Sequence, residues 1–253
     1  MHVPARTRVV RAGARLPPAS PTAYTHARVS SSPVTPVGHV LYLHGFASSP
    51  ASSKARRFAS ELGAHGVGFS CPDFNQPAFE TLTVTRMLED TRRALDAAHG
   101  RPIAVIGSSL GAFVAVHAAE AAWGRAIDRL ILLAPALDFG GNRLRQLGDH
   151  GIEEWRRTGR LEVFHYADNT MRDVGYGLYE DAARFDAFDV RRVLPSLVFQ
   201  GRQDETVSPD MVARWAAPRA HVDLRWLDDG HQLTASMDEI WRVAETFLGL
   251  KAG

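Results

Sequence analysis

Short apolar runs alternate with segments of helical periodicity along most of the chain, and this alternation constrains the fold more than any other feature. The runs cover residues 39–44, 67–71, 102–107, 130–133, 196–200 and 222–226, and the clearest helical segments cover 52–62, 83–98, 110–123 and 234–248. Short apolar strands separated by helices are typical of a parallel sheet covered on both faces, with right-handed crossovers. The sequence therefore predicts an α/β fold with a mostly parallel, doubly wound sheet.

Residues 139–192 interrupt this alternation. They are polar and irregular, and they carry the aromatic residues Trp155, Phe164, Tyr166, Tyr176, Tyr179, Phe185 and Phe188. We interpret this segment as a cap insertion of short helices over the carboxyl edge of the sheet, and a peripheral insertion is the alternative. Residues 39–253 would then form one α/β domain that includes the cap, which is an ordinary size for a single domain.

Residues 1–38 differ from the rest of the chain in composition. They contain five arginines and no acidic residue, and prolines and serines punctuate them. An Arg- and Ser-rich start without acidic residues is similar to an organelle transit peptide. We favour a flexible N-terminal arm or a short edge strand, because the ends of domains are often poorly ordered.

The overall composition argues against several classes of function. Lys and Arg total 29 while Asp and Glu total 28, so the net charge of +1 indicates no nucleic-acid partner. No apolar run approaches the roughly 20 residues of a membrane span, and no signal-peptide core follows Met1. Cys71 is the single cysteine, so an internal disulfide is not possible. These features predict a cytoplasmic protein and leave the oligomeric state open.

The sequence carries no signature of a metal or cofactor. It has no His-Glu-x-x-His motif, no paired cysteines and no Gly-x-Gly-x-x-Gly pattern. Residues 45–54 contain glycine, serine and lysine but lack the Gly-Lys-Ser/Thr ending of a phosphate-binding loop. We therefore expect neither a metal nor a cofactor.

Residues 107–111 read Gly-Ser-Ser-Leu-Gly and match the Gly-x-Ser-x-Gly pattern of a nucleophile elbow. The pattern is common by itself, but here it lies directly between a predicted strand and a predicted helix, which is the setting that the elbow requires. Gly107 and Gly111 allow a sharp turn that projects the Ser109 hydroxyl out of the sheet. We predict that Ser109 is a nucleophile, and an ordinary tight turn is the alternative.

A serine nucleophile of this kind needs two N–H donors for the developing oxyanion. The N–H of Leu110, directly after the serine, is the first candidate. The second is expected in the loop after the first strand, where Gly45 lets the chain turn in closely and the Phe46 N–H can donate. His44 in the same loop is a candidate base, but we favour a structural role for it.

The acid and the base of a nucleophile-elbow enzyme follow the serine in the order Asp/Glu, then His. Asp204 lies in the loop after the strand 196–200, and His231 lies in a loop after the strand 222–226. We predict that His231 is the general base and that Asp204 orients it. Asp138, one strand earlier, and Glu205 are rival acids.

Residues 41–50, Leu-Tyr-Leu-His-Gly-Phe-Ala-Ser-Ser-Pro, followed by Ser53-Lys54-Ala55, resemble the opening of YqiA/YcfP-type esterases of the α/β-hydrolase superfamily. The elbow, an aspartate and a Gly-His pair then occur in the family's order over roughly residues 40–248. The resemblance implies an α/β-hydrolase fold, hydrolysis of carboxylic esters or thioesters, and the roles given above for Ser109, Asp204 and His231. The insertion after Pro135 is longer than expected for the smaller members.

These features together predict a serine hydrolase that cleaves a small-molecule ester or thioester through an acyl-enzyme on Ser109. The aromatic cap predicts an apolar pocket for an acyl group of modest hydrophobic character. Acyl transfer, peptidase or carbon–carbon hydrolase activity on the same residues remains an alternative. A non-catalytic binding protein with this fold is an alternative of another class.

Overall fold

The computed structural model describes residues 34–140 and 147–250. In chain order, its strands and helices are β1 (His39–Leu43), α1 (Ser53–Ala64), β2 (Gly68–Ser70), α2 (Val84–Asp96), β3 (Ile103–Ser108), α3 (Leu110–Glu120), β4 (Ile127–Leu133), α4 (Gly148–Thr158), β5 (Arg160–His165), β6 (Thr170–Gly175), α5 (Gly177–Ala182), β7 (Ser196–Gly201), α6 (Pro209–Ala216), β8 (Val222–Leu227) and α7 (Met237–Phe247). Short 3₁₀ helices precede α2 and β4 at Phe79–Thr81 and Ala122–Ala126.

Six strands form one parallel sheet in the order β2-β1-β3-β4-β7-β8, which confirms the predicted parallel architecture. The chain runs from β1 out to the edge strand β2 and returns on the other side of β1 as β3. The strand order reverses there, and ligands of open α/β sheets bind outside the carboxyl ends of the strands at such a point. Leu43 at the end of β1 pairs with Gly107 near the end of β3, so the loops after these strands start side by side.

Helices cover both faces of the sheet. Alternate residues of β1 point to opposite faces, so Leu41 and Leu43 join the core under α2, α3 and α6, whereas Val40 and Tyr42 join the core under α1 and α7. The helix α3 is apolar almost all round, and nine of its 11 residues are buried, as its sequence predicts. This helix is therefore fixed in the centre of the molecule, and its N-terminus carries Ser109.

The segment between β4 and β7 is not the all-helical cap that the sequence pattern suggested. It contains α4 and α5, but an antiparallel hairpin of β5 and β6 lies between them. The alternation in Arg160–His165 explains the difference, because Leu161, Val163 and His165 are less exposed than the residues between them. Asn169 in the hairpin turn has a φ of 52°, a left-handed conformation that Asn tolerates better than most residues.

The N-terminal arm expected over 1–38 lies mostly outside the described residues, since the structure describes it only from residue 34 onward. Val37 is buried there, and its N–H donates to the Leu248 carbonyl at 3.1 Å. None of the helices within 34–140 and 147–250 combines the length and apolar character needed to cross a bilayer.

Candidate active site

Ser109 occupies a strained turn between β3 and α3. Its φ of 53° and ψ of −114° lie outside the regions that most non-glycine residues adopt. Side chains at the flanking glycines would collide with backbone, since a Cβ at Gly107 would lie 2.5 Å from Ala112 Cα and one at Gly111 would lie 2.0 Å from the Leu43 oxygen. The two glycines of the motif are therefore required by close packing, as the elbow pattern predicts.

The loop after β1 passes directly beside Ser109. A Cβ at Gly45 would lie 3.4 Å from Ser109 Cβ, so this loop contacts the serine. Within the described part of the chain, the N–H groups of Phe46 and Leu110 have no hydrogen-bond partner. Both residues line the same cavity as Ser109. The two predicted oxyanion donors are thus available beside the serine.

His231 connects Ser109 with Asp204. Its Nε2 lies 3.1 Å from Ser109 Oγ and its Nδ1 lies 2.9 Å from Asp204 Oδ2. The His231 side chain is 15% exposed, whereas the Asp204 side chain is fully buried. Because Nδ1 faces a carboxylate, the neutral imidazole carries its proton on Nδ1 and presents the Nε2 lone pair to the serine hydroxyl.

Asp204 is held in its charged form by hydrogen bonds. Its Oδ1 accepts the N–H groups of Thr206 and Val207, both at 2.8 Å, and its Oδ2 accepts Nε2 of Gln200 at 3.0 Å. Burial by itself would raise the pKa of Asp204, but the hydrogen bonds from His231, Val207 and Gln200 outweigh burial and leave the pKa below its usual value. The described contacts of the imidazole thus place Asp204, rather than the rivals Asp138 and Glu205, at Nδ1.

Sequence reasoning missed the contribution of Gln200. This residue is the last but one of β7 and is completely buried, and its Oε1 has no hydrogen-bond partner among the described residues. Its Nε2 donates to Asp204 Oδ2 and thereby orients the carboxylate. A single polar residue at the carboxyl end of an otherwise apolar strand was the signal in the sequence.

His44 lies close to the site but does not contact Ser109 as a base would. It is buried, its Nδ1 lies 2.9 Å from the Gly45 oxygen, and its Nε2 accepts the Phe74 N–H at 3.0 Å. Both ring nitrogens are therefore occupied within the loops. This arrangement corresponds to the structural role favoured from the sequence.

The cap is attached to the loop after β1 through the half-buried amide of Asn75. Asn75 donates to the Ser48 carbonyl at 2.8 Å, and its Oδ1 lies 3.1 Å from Nε2 of His165 on the hairpin strand β5. The Ala167 N–H also donates to the Ala47 carbonyl. The β5–β6 hairpin therefore supports the loop that carries the Phe46 N–H.

An apolar cavity of about 250 Å³ extends from Ser109 beneath the cap. Its walls come from both the sheet side and the cap, namely Phe46, Ser109, Leu110, Ala136, Phe139, Leu147, Trp155, Leu161, Val163, Val174 and Leu178. The indole of Trp155 is anchored by a hydrogen bond to the Val174 carbonyl at 3.0 Å. The described residues of these walls include no charged side chain, so this part of the cavity is suited to an uncharged, apolar group.

The described residues contain no group of three or more His, Cys, Asp or Glu side chains arranged to hold a metal ion. The described residues beside Ser109 are instead an imidazole, a buried carboxylate and two N–H groups that none of these residues binds. This set of groups can carry out proton transfer and stabilise an oxyanion.

The profile of the uncharacterised protein family UPF0227 matches residues 39–248, which is most of the chain. The chain belongs to this family. The matched region begins with β1 and ends just after α7, so the UPF0227 match includes the elbow, the cap and the loops that carry Asp204 and His231. No curated protein matches the chain in sequence.

Solved α/β hydrolases share the fold of this UPF0227 member. A putative hydrolase from Agrobacterium vitis S4 has a TM-score of 0.74 at 22% identity, with 84% of this chain and 88% of that chain covered. Mouse alpha/beta hydrolase domain-containing protein 10 has a TM-score of 0.70 at 20% identity, covering 83% and 89%. Est1E from Butyrivibrio proteoclasticus has a TM-score of 0.66 at 19% identity, covering 84% and 87%. The chain therefore has the α/β-hydrolase fold.

Proposed function

We propose that this protein is a serine hydrolase that cleaves small-molecule carboxylic esters or thioesters through an acyl-enzyme on Ser109. The observation that carries the proposal is the line from Ser109 Oγ through the His231 imidazole to the Asp204 carboxylate, with distances of 3.1 and 2.9 Å. These contacts are within hydrogen-bond reach, as nucleophile activation requires. Proteins with the same fold include a monoacylglycerol lipase from Paleococcus ferrophilus, which supports a hydrolytic role.

In the proposed acylation step, Ser109 Oγ attacks the acyl carbonyl carbon and its proton passes to His231 Nε2. The carbonyl π electrons move onto oxygen, and the resulting oxyanion accepts hydrogen bonds from the Phe46 and Leu110 N–H groups. The tetrahedral intermediate then collapses and expels the alcohol or thiol, which takes the proton from Nε2. Asp204 holds the imidazole in the required tautomer and stabilises the imidazolium, and no cofactor takes part.

In the proposed deacylation step, water attacks the acyl-enzyme and gives a proton to His231 Nε2. Collapse of the second intermediate releases the carboxylic acid and returns the proton to Ser109 Oγ. During both steps the acyl chain occupies the apolar cavity beside the serine, where burial of its carbon atoms favours binding. The described walls of this cavity carry no charged side chain, which supports an acyl group without a charge near its carbonyl.

The experiment that tests the proposal is a panel of p-nitrophenyl esters and acyl-CoA thioesters, run with the wild type and with Ser109→Ala. We expect Ser109→Ala to lower kcat by about 10⁴-fold or more, because nucleophilic catalysis is lost while binding remains. Ser108→Ala is the matched control, since it removes the neighbouring hydroxyl of the same motif, and it should retain activity within a few-fold. Equal activity in the wild type and Ser109→Ala would contradict the proposal.

Labelling with a fluorophosphonate probe distinguishes the hydrolase from a non-catalytic binding protein. The wild type should be labelled and Ser109→Ala should not. Product analysis with added alcohols and with aminoacyl amides separates hydrolysis from acyl transfer and peptidase activity. A folded wild-type protein that resists the probe would favour the binding protein.

A further inference from the structure

Lys54 is an unusual residue in this chain because lysine is almost absent from it. Lys and Arg total 29, but the only lysines are Lys54 and Lys251. Lys54 lies in the first turn of α1, where the positive end of the helix dipole disfavours a cation. Its side chain is half-buried, and this burial lowers its pKa to about 8. The helix dipole and the partial burial both disfavour a charged amine at this position, so nearby contacts must offset these two free-energy costs.

The ammonium of Lys54 contacts the loop that carries His231. Its Nζ donates to the carbonyl oxygen of Gln232 at 2.9 Å, a contact between residues 178 positions apart in the chain. Gln232 directly follows His231, so this bond restrains the loop next to the proposed base. The bond is charge-assisted while the amine is protonated, and such bonds are roughly twice as strong as neutral ones.

Two carboxylates face the ammonium and partly offset the effect of burial on its pKa. Asp204 approaches from the loop after β7, and Asp229 approaches from the loop after β8. Asp229 is itself fixed, because its two oxygens accept the N–H groups of Gly230 and Ser236 at 2.7 and 3.0 Å. On α1 itself, the charge of Arg57 is engaged by Glu61 and Asp238.

The loop that carries His231 is thus held from two sides. From the β7 side, the N–H of Gln203 donates to the Asp229 carbonyl at 3.1 Å. From the α1 side, Lys54 Nζ donates to the Gln232 carbonyl. The bond from Lys54 thus ties the residue directly after His231 to α1, next to the imidazole whose Nε2 lies at Ser109 Oγ.

We propose that Lys54 is a positioning residue of the hydrolytic site. Its protonated amine holds the Gln232 carbonyl, so that His231 Nε2 stays within hydrogen-bond distance of Ser109 Oγ. This inference rests on the proposed function. A misplacement of about 1 Å at a catalytic group can cost about a hundredfold in rate, so a single bond at this loop is expected to have a measurable effect. Lys54 does not touch the reacting atoms and acts through His231.

The kinetic test uses Lys54→Met, Lys54→Arg and the matched control Arg56→Met, which removes an exposed cation from the same turn of α1. We expect Lys54→Met to lower kcat for ester hydrolysis by about tenfold with KM within twofold, whereas Arg56→Met stays within twofold for both. The wild-type kcat should fall by a similar factor as the pH rises through about 8, where Lys54 loses its proton. Lys54→Met should lack this alkaline fall, and Lys54→Arg should remain active through pH 9.5.

A structural role alone would lower activity equally at every pH and keep the wild-type pH profile. Such a result, or wild-type kinetics in Lys54→Met, would overturn the proposal. The two lysines also permit a direct titration of the amine by ¹⁵N-lysine NMR, with Lys251→Arg used for assignment. We expect the Lys54 signal to titrate near pH 8, at the midpoint of the alkaline fall in wild-type kcat. A titration at a pH where kcat does not change would overturn the proposal, because the charge of the amine would then not control the site. If Ser109→Ala is as active as the wild type, the proposed function fails, and the NMR titration still tests the Lys54 contact.

Discussion

The substitution Asp204→Asn tests the assignment of the acid most directly. In the wild type, His231 Nδ1–H donates to Asp204 Oδ2, and the carboxylate also receives Gln200 Nε2. An asparagine can keep its oxygen on the N–H groups of Thr206 and Val207, which places its amide nitrogen toward the imidazole. The amide N–H then donates to Nδ1 and forces the proton onto Nε2, so the imidazole can no longer accept the Ser109 proton.

The wrong tautomer accounts for a loss of about 10⁴-fold in kcat, which corresponds to about 5.4 kcal/mol of lost transition-state stabilisation. The fold should survive the change, because the two backbone hydrogen bonds remain and the unpartnered Oε1 of Gln200 can accept from the new amide after rotation of its side chain. We therefore expect a small change in Tm together with a large change in kcat.

The assay is hydrolysis of p-nitrophenyl acetate near pH 7.5, with thermal unfolding measured on the same samples. Asp138→Asn is the matched control, because Asp138 is the rival acid from the sequence, and it should retain activity within a few-fold. Activity of a folded Asp204→Asn within tenfold of the wild type would refute the tautomer argument. A large loss in Asp138→Asn alone would transfer the role to that residue.

Three further predictions follow from the packing around the site. Trp155 borders both the apolar cavity and a polar groove that His150, Glu154 and Arg160 also line. Trp155→Leu should therefore join the two spaces and raise kcat/KM for longer acyl esters relative to shorter ones. An unchanged order of substrates in the folded variant would argue against a separating role of the indole. Gly111→Ala should destabilise the protein by more than about 3 kcal/mol in urea unfolding, because its Cβ would lie 2.0 Å from the Leu43 oxygen, and near-wild-type stability would contradict the packing. Burial lowers the pKa of His117 to about 4, against 6.5 in the unfolded chain, so between pH 6.5 and pH 4 the unfolded state binds a proton that the folded state does not. The free energy of unfolding should therefore fall by on the order of 2 to 3 kcal/mol as the pH drops from 6.5 to 4. His117→Phe should remove this fall in urea titrations, and an unchanged pH dependence would exclude His117 as its source.

The sequence determined the elements whose signals are local. Each apolar run is long enough for one buried strand, and period-two or helical spacing is readable within a few residues. The elbow was also local, since a strand, Gly-x-Ser-x-Gly and an apolar helix are contiguous over residues 103–120. The hairpin of the cap was missed, although residues 160–165 alternate in burial. The alternation covers only six residues within a long irregular segment, so it did not stand out in the sequence.

Tertiary structure alone decided which distant side chains meet. Asp204 and Asp138 both follow strands of the same sheet, and the sequence could only rank them; the pairing of β7 with β8 brought Asp204 to the imidazole of His231. The contacts of Gln200 and Lys54 could not be predicted for the same reason, since the bond from Lys54 to Gln232 joins the first helix to the last loop before α7. Periodicity encodes which face of an element is buried, but it does not encode which buried or half-buried polar atoms face each other, because strand order and loop paths set those contacts.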